Sequence, residues 1–439
     1  MAPPDTTAER KGDEYGPISL RRPEERAVSG WNADIHTFCT TEGGYKMQKP
    51  NWRRWLSLGM TGALCLGLVP MSVFAAEGDA VPIYMDPSYS FEERAADLVA
   101  RMSLEQKGSQ MISNNSAAIP ASELGGGALN VPATKGIDSY TWWSEALHGY
   151  SHGTGATNST SYPQNLSAGS TWNPDLYYRQ AQLISDEIRE RTSKSSDGHS
   201  LNLTFYSPTV NMQRDPRWGR NEEAFSEDVL LNSVMGSQFV LGMEGKDQNG
   251  ELLDEDGYYK TITTIKHYTA NNSERNRLDG GATMSLRALR EYFTAPYRNV
   301  IEAADVSSVM TAYSTLNGEP TSMSSYLMDT LLRQTWGFTG YVTSDCDSVS
   351  TIARHNYTNP HTGETLTATE QFSQAMAHGE DLECSGGYNS GVGNYASNIS
   401  DMVSAGVDTD KGTFTENQVD ISLHRLMTAR MKTGEFDEN

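Results

Sequence analysis

Four short runs of β-branched and aromatic residues punctuate the chain: Leu203 to Pro208, Thr261 to His267, Val306 to Tyr313 and Gly340 to Ser344. Their length and composition predict buried strands. Between and after them, apolar residues recur at three-to-four spacing over Asp175 to Arg191, Glu227 to Met243, Leu286 to Ala304, Ser325 to Trp336 and Glu416 to Lys432, which predicts helices. Asn173-Pro174 opens the first of these with a cap and a proline at the first helical position. Strands alternating with helices imply a parallel sheet. A single α/β domain of about 360 residues with long loops fits a (β/α)8 barrel of the TIM type better than an open sheet. Gly125-Gly126-Gly127 lacks the spacing of a dinucleotide fingerprint and reads as a loop. The Gly-, Ser- and Asn-rich stretch from about Gly386 to Lys411 reads as a surface loop feeding the last helix.

Composition narrows the partners. With 34 Lys and Arg against 56 Asp and Glu, the net charge of -22 repels phosphate backbones and argues against nucleic acid. A neutral substrate such as a sugar is untouched by that bias. Ahead of the globular pattern, Lys49, Arg53 and Arg54 precede an apolar stretch from Trp55 to the small residues Ala75 and Ala76. This predicts a signal peptide over 47–76, hence a secreted or cell-envelope protein, with an uncleaved anchor as the alternative. Residues 1–46 are polar and Pro-, Glu- and Arg-rich, and read as a leader upstream of the start at Met47. That leaves 77–439 as the folded domain.

Cys39 and Cys65 precede the expected cleavage point, so Cys346 and Cys384 are the pair in the mature chain. Two thiols in an oxidising compartment can bridge, or stand as buried free cysteines. Neither their spacing nor the scattered nine His suggests a metal site, and no cofactor is expected.

The polar groups that chemistry needs gather at the predicted strand ends. Lys266-His267 ends one strand, Tyr313 another and Asp345 a third, while Arg214-Asp215-Pro216-Arg217-Trp218-Gly219-Arg220 follows a fourth. In a parallel α/β fold ligands bind at the carboxyl ends of strands. Asp345 alone could be a catalytic acid, a helix cap or a loop acid. Basic groups around it would keep it ionised and could clamp vicinal hydroxyls.

From about Tyr84 onward the chain resembles glycoside hydrolase family 3, the β-glucosidase and β-xylosidase group. The matching motifs are Trp142-Trp143-Ser144-Glu145-Ala146-Leu147-His148-Gly149, Arg214 to Asn221 with Glu227-Asp228 beyond, Lys266-His267-Tyr268 continuing to Asn276-Arg277, Met310 to Gly318, and Thr343-Ser344-Asp345-Cys346. The resemblance implies an N-terminal barrel in which Asp345 is the nucleophile of a retaining exo-β-glycosidase acting on an oligosaccharide or glycoside through a covalent intermediate. Asp347 is the rival acid. It further implies that Arg220, Lys266, His267 and Arg277 bind sugar hydroxyls and that Tyr313 stands beside the nucleophile. Glu145, where glucosidase-like members have Asp, points to a β-xylosidase: one more methylene fills the space a hexose hydroxymethyl would take. Cys346 in place of Trp points the same way. β-Glucosidase and α-arabinofuranosidase are the alternatives. One of Trp142 and Trp143 is expected in the core and the other at the sugar.

Retaining chemistry also needs a second carboxyl about 5 to 5.5 Å from the first. In this family it normally comes from a following α/β sandwich domain, which is expected to be missing here. A truncated product, a partner that supplies the acid, or a sugar-binding remnant with weak hydrolysis would each account for that. The two cysteines, each just after a strand-end acid on neighbouring strands, are expected to form a disulfide beyond the nucleophile.

Overall fold

The computed structural model describes residues 81–437 apart from 115, 152–157, 194–201, 360–361 and 386–390. The expected leader and signal segment lie outside the described residues. Among the described residues no helix is long and apolar enough to cross a membrane.

The four predicted strand runs form one parallel sheet, with β1 at Thr204–Phe205, β2 at Ile262–Tyr268, β3 at Ser308–Thr311 and β4 at Tyr341–Thr343. Their order is their chain order, with Phe205 opposite Thr263, Ile265 opposite Val309, and Val309 opposite Val342. The hydrogen bonding does not stop at the edges. Leu382 bridges Thr343 and Glu383 bridges Ile112, both in parallel. Ser113 O then accepts from Trp142 N (2.7 Å), and Ser144 O accepts from Tyr206 N (2.8 Å), just past β1. The backbone bonds therefore run from β1 around a closed circuit and return to it.

Alternate side chains of these strands enter two apolar cores, as the period of two requires. Ile262, Met310 and Tyr341 point to the side that holds Tyr140, Trp142 and Leu382. Ile265, Val309 and Val342 point to the other, against Tyr177, Phe239 and Tyr297 of the covering helices. Those helices are Pro174–Ser193, Val229–Glu244 and Ala295–Ala304. The second starts where Asp228 accepts from Leu231 N and stops at Gly245, whose φ of 75° a residue with a Cβ adopts only under strain.

Two predicted elements differ in detail. The stretch expected as one helix from Leu286 to Ala304 breaks into Leu286–Ala288, a π-helical turn at Leu289–Phe293, and Ala295–Ala304, with Pro296 in the first turn of the last. Ser325 to Trp336 is π-helical over Tyr326–Thr335. The expected surface loop from Gly386 to Lys411 is corrected where it is described: Tyr395–Ala405 is a helix. Asn394 and Ser397 form a reciprocal capping box at its start, and Tyr395, Ile399 and Met402 bury its inner face, so packing outweighs a composition of poor helix formers. Glu416–Lys432 forms where predicted and packs on Phe91–Val99.

Candidate active site

Because β1 to β4 are parallel, their carboxyl ends share one edge of the sheet, and the residues that follow them meet there. Asp345 lies two residues beyond β4 and is 8% exposed. Its Oδ1 accepts from Cys346 N at 2.8 Å, while Oδ2 accepts no hydrogen bond. His267 Nε2 stands 3.7 Å from that Oδ2. Burial pushes the Asp345 carboxyl above the ordinary carboxylate range, and the positive charges of Arg220, Lys266 and Arg277 oppose the rise.

Each cation has its own anchor. Lys266 Nζ donates to both oxygens of Glu145, at 2.9 and 3.1 Å. Ser207 Oγ and Trp143 Nε1 also donate to that carboxylate, at 3.1 and 3.4 Å. Arg220 forks onto Glu223, with Nε at 2.6 Å and Nη2 at 2.7 Å, and Thr209 Oγ1 donates to Glu223 at 3.2 Å. Arg277 donates to Glu274 at 2.9 Å and lies 5.0 Å over the ring of Tyr313. Glu274 is fixed from its other side by Trp218 Nε1 at 3.0 Å. Bidentate and charge-assisted bonds of this kind hold long side chains in one rotamer, so the guanidinium and ammonium groups are fixed before any ligand arrives.

His267 is buried and neutral. Desolvation pulls its pKa well down, and the neighbouring Arg220, Lys266 and Arg277 add to the effect. Its backbone N–H and ring Nδ1 both meet Asn211 Oδ1, at 2.7 and 3.1 Å.

Directly after Asp345, Cys346 is joined to Cys384 in a disulfide with Cα atoms 4.3 Å apart. Asp347 is buried, its backbone sits at φ 62°, and its N–H donates to Cys384 O at 2.6 Å. The structure thus brings Asp345, His267, Lys266, Glu145, Arg220, Arg277, Tyr313 and Cys346 to one edge. Two arginines of the Arg-rich loop point elsewhere. Arg214 lies over the Phe293 ring and donates to Ala270 O, and Arg217 is solvated and pairs with Asp215. Trp142 is fully buried between Tyr140 and Tyr341, whereas Trp143 reaches Glu145. No cluster of His, Cys, Asp and Glu among the described residues could hold a metal ion.

The model of the glycosyl hydrolase family 3 N terminal domain matches residues 136–429, the span that carries all these residues. The chain belongs to glycosyl hydrolase family 3. Among family relatives it is 30% identical over 357 residues to Beta-D-xylosidase 1 of Arabidopsis thaliana, which covers 79% of this chain and 40% of the relative. It is 32% identical over 385 residues to Xylan 1,4-beta-xylosidase of Xylanibacter ruminicola, covering 86% and 39%. The chain therefore spans about two fifths of the length of the curated relatives it matches. In three dimensions it is similar to a GH3 exo-beta-xylosidase (XlnD) in complex with a xylobiose aziridine probe, at TM-score 0.63 and 23% identity over 81% of this chain and 42% of that one. Beta-glucosidase 3B of Thermotoga neapolitana in complex with glucose superposes at TM-score 0.57 and 23% identity over 78% and 43%.

Sequence reading missed Asn211, Ser207, Glu223 and Glu274 in this family 3 site. Glu223 had a usable signal, standing three residues after Arg220, the spacing at which opposite charges pair on a helical turn. Asn211 had none. Its role depends on β1 and β2 being neighbours.

Proposed function

We propose that this chain carries the nucleophile-bearing half of a retaining exo-β-glycosidase, acting on terminal β-linked xylose, and that the closed circuit of strands is a barrel of the TIM type. The observation that carries this reading is Asp345: a strand-end carboxylate with one free oxygen, ringed by Arg220, Lys266 and Arg277. The cations favour its ionised, nucleophilic form, and burial leaves it poorly solvated and so reactive toward an anomeric carbon. Lys266, Arg220, Arg277 and neutral His267 then bind the sugar hydroxyls.

Two features favour a pentose. Glu145 projects its full side chain to Lys266, occupying space that a hydroxymethyl group would need, and the Cys346–Cys384 bridge walls the loop directly after the nucleophile. The two relatives named above, both xylosidases, agree with this.

The proton for the leaving oxygen has a different origin. Glu145, Glu223 and Glu274 each accept hydrogen bonds from a cation of the site, so these carboxyl groups are already held as its anchors. We assign the acid to a segment or partner beyond the residues described. The mature domain is proposed to begin at residue 77, exported by the 47–76 segment with 1–46 as a leader.

A 2-deoxy-2-fluoro xyloside with an activated leaving group tests the reading, because such a leaving group needs no acid. Intact mass should rise by one fluoroxylosyl unit. Unchanged mass after prolonged incubation, with the protein folded, would contradict it.

A further inference from the structure

We infer that Asn211 is a positioning residue that fixes His267 in the tautomer with its proton on Nδ1, so that Nε2 is a bare acceptor for a sugar hydroxyl beside Asp345. The sugar part of this inference rests on the glycosidase reading; the tautomer does not.

The orientation of the Asn211 amide is dictated by the backbone it touches. Its Oδ1 meets the His267 N–H at 2.7 Å and its Nδ2 meets the His267 carbonyl at 3.1 Å. A backbone N–H can only donate and a carbonyl can only accept. Flipping the amide would set donor against donor and acceptor against acceptor at both contacts. Oδ1 therefore faces the ring as well, 3.1 Å from Nδ1. An oxygen of this kind cannot donate, so Nδ1 must carry the proton. Asn211 is only 5% exposed and His267 1%, and Tyr297 Oη also donates to the His267 carbonyl, so water does not compete for these contacts.

A neutral imidazole has one proton: desolvation by burial keeps His267 neutral, the facing cations Arg220, Lys266 and Arg277 add to this, and Asp345 is the facing anion, 3.7 Å from Nε2. Nε2 then presents a lone pair. It stands 3.7 Å from Asp345 Oδ2, an oxygen that accepts no hydrogen bond. Two acceptors at that separation have nothing to offer each other. With the proton on Nε2 instead, the ring would point a donor at the nucleophile and occupy the lone pair that attacks. Asn211 thus has two effects at once: it leaves Oδ2 free to attack, and it sets a fixed acceptor next to it. The matching ligand group is a ring hydroxyl that donates to Nε2 while its oxygen accepts from the surrounding cations.

The protein labelled with 15N in its histidine rings tests this directly, with His267→Gln identifying the His267 signals. In the parent at neutral pH, Nδ1 should be protonated and Nε2 bare; a protonated Nε2 overturns the inference. Asn211→Leu, which removes the oxygen, should give a ring with protonated Nε2, and Asn211→Asp, which adds a charge at Nδ1, should give a ring protonated at both nitrogens. A ring unchanged from the parent in both variants would show that Asn211 does not set the tautomer. When xylose is bound, as followed by calorimetry, the Nε2 signal should move toward that of a hydrogen-bonded acceptor. Bound sugar that leaves Nε2 unmoved overturns the acceptor role, whereas absence of sugar binding counts against the glycosidase reading and leaves the tautomer result standing.

Discussion

Shortening Glu145 by one methylene separates two contributions that the parent combines. Glu145→Asp withdraws the carboxylate by about 1.5 Å, the length of one carbon–carbon bond. The contacts to Lys266 Nζ at 2.9 and 3.1 Å then open past hydrogen-bonding range, and those to Ser207 and Trp143 are lost. That loss falls on every substrate alike, because a xyloside and a glucoside meet the same Lys266. The vacated space helps only the substrate that has a hydroxymethyl group to put there. Shape discrimination of this kind amounts to about 1 to 3 kcal/mol, or roughly 5- to 150-fold at 1.4 kcal/mol per tenfold. The assay is kcat/KM for paired aryl β-xyloside and aryl β-glucoside with the same good leaving group, in parent and variant. Both values should drop, and the glucoside-to-xyloside ratio should rise within that range. A ratio that stays the same or falls, in a variant melting close to the parent, refutes the steric role of Glu145.

Three further outcomes follow from the geometry. Because burial raises the Asp345 carboxyl above its ordinary 3.8 and only the ionised form attacks, the rate of covalent labelling should be lost as pH falls, with a midpoint above 3.8; a midpoint at or below that value contradicts the environment described. Lys246, buried with Glu244 at 2.8 Å and also bonded to the carbonyls of Ala304 and Asp305, ties the helix Val229–Glu244 to the segment leading into β3. Lys246→Met leaves the buried carboxylate without its cation and should cost about 3 to 5 kcal/mol in urea unfolding, most of it recovered when Glu244→Gln is added. Alkylation of the unreduced, processed protein should modify neither Cys346 nor Cys384 by mass spectrometry, and modification of both would remove the bridge from the account.

What the sequence made legible was whatever local pattern decides. The run from Thr261 to His267 is β-branched and uninterrupted because β2 is buried on both faces, and such a strand announces itself. Asp345 was visible because a carboxylate at the end of such a run has no packing reason to be there. The π-helical turns were not visible, since a wider turn shifts the apolar spacing by a single residue in a stretch that still repeats every three to four. The helix Tyr395–Ala405 was hidden by its Ser and Asn content: its stability comes from Tyr395, Ile399 and Met402 docking on a core built by distant segments. Arg277 came from the family resemblance and not from periodicity, for it reaches the site through a loop and is placed by Glu274 and Tyr313. Asn211 needed the pairing of β1 with β2 before its contact with His267 could be imagined.

The central claim is that Asp345 forms the covalent bond to the sugar. Peptide mapping after inactivation with the activated 2-deoxy-2-fluoro xyloside tests it in the parent, Asp345→Gly and Asp347→Asn. The label should map to Asp345 in the parent, vanish in Asp345→Gly, and persist in Asp347→Asn, whose backbone at φ 62° Asn tolerates. A label on Asp347, or one that survives Asp345→Gly and is lost in Asp347→Asn, would contradict the account and move the nucleophile two residues along the chain.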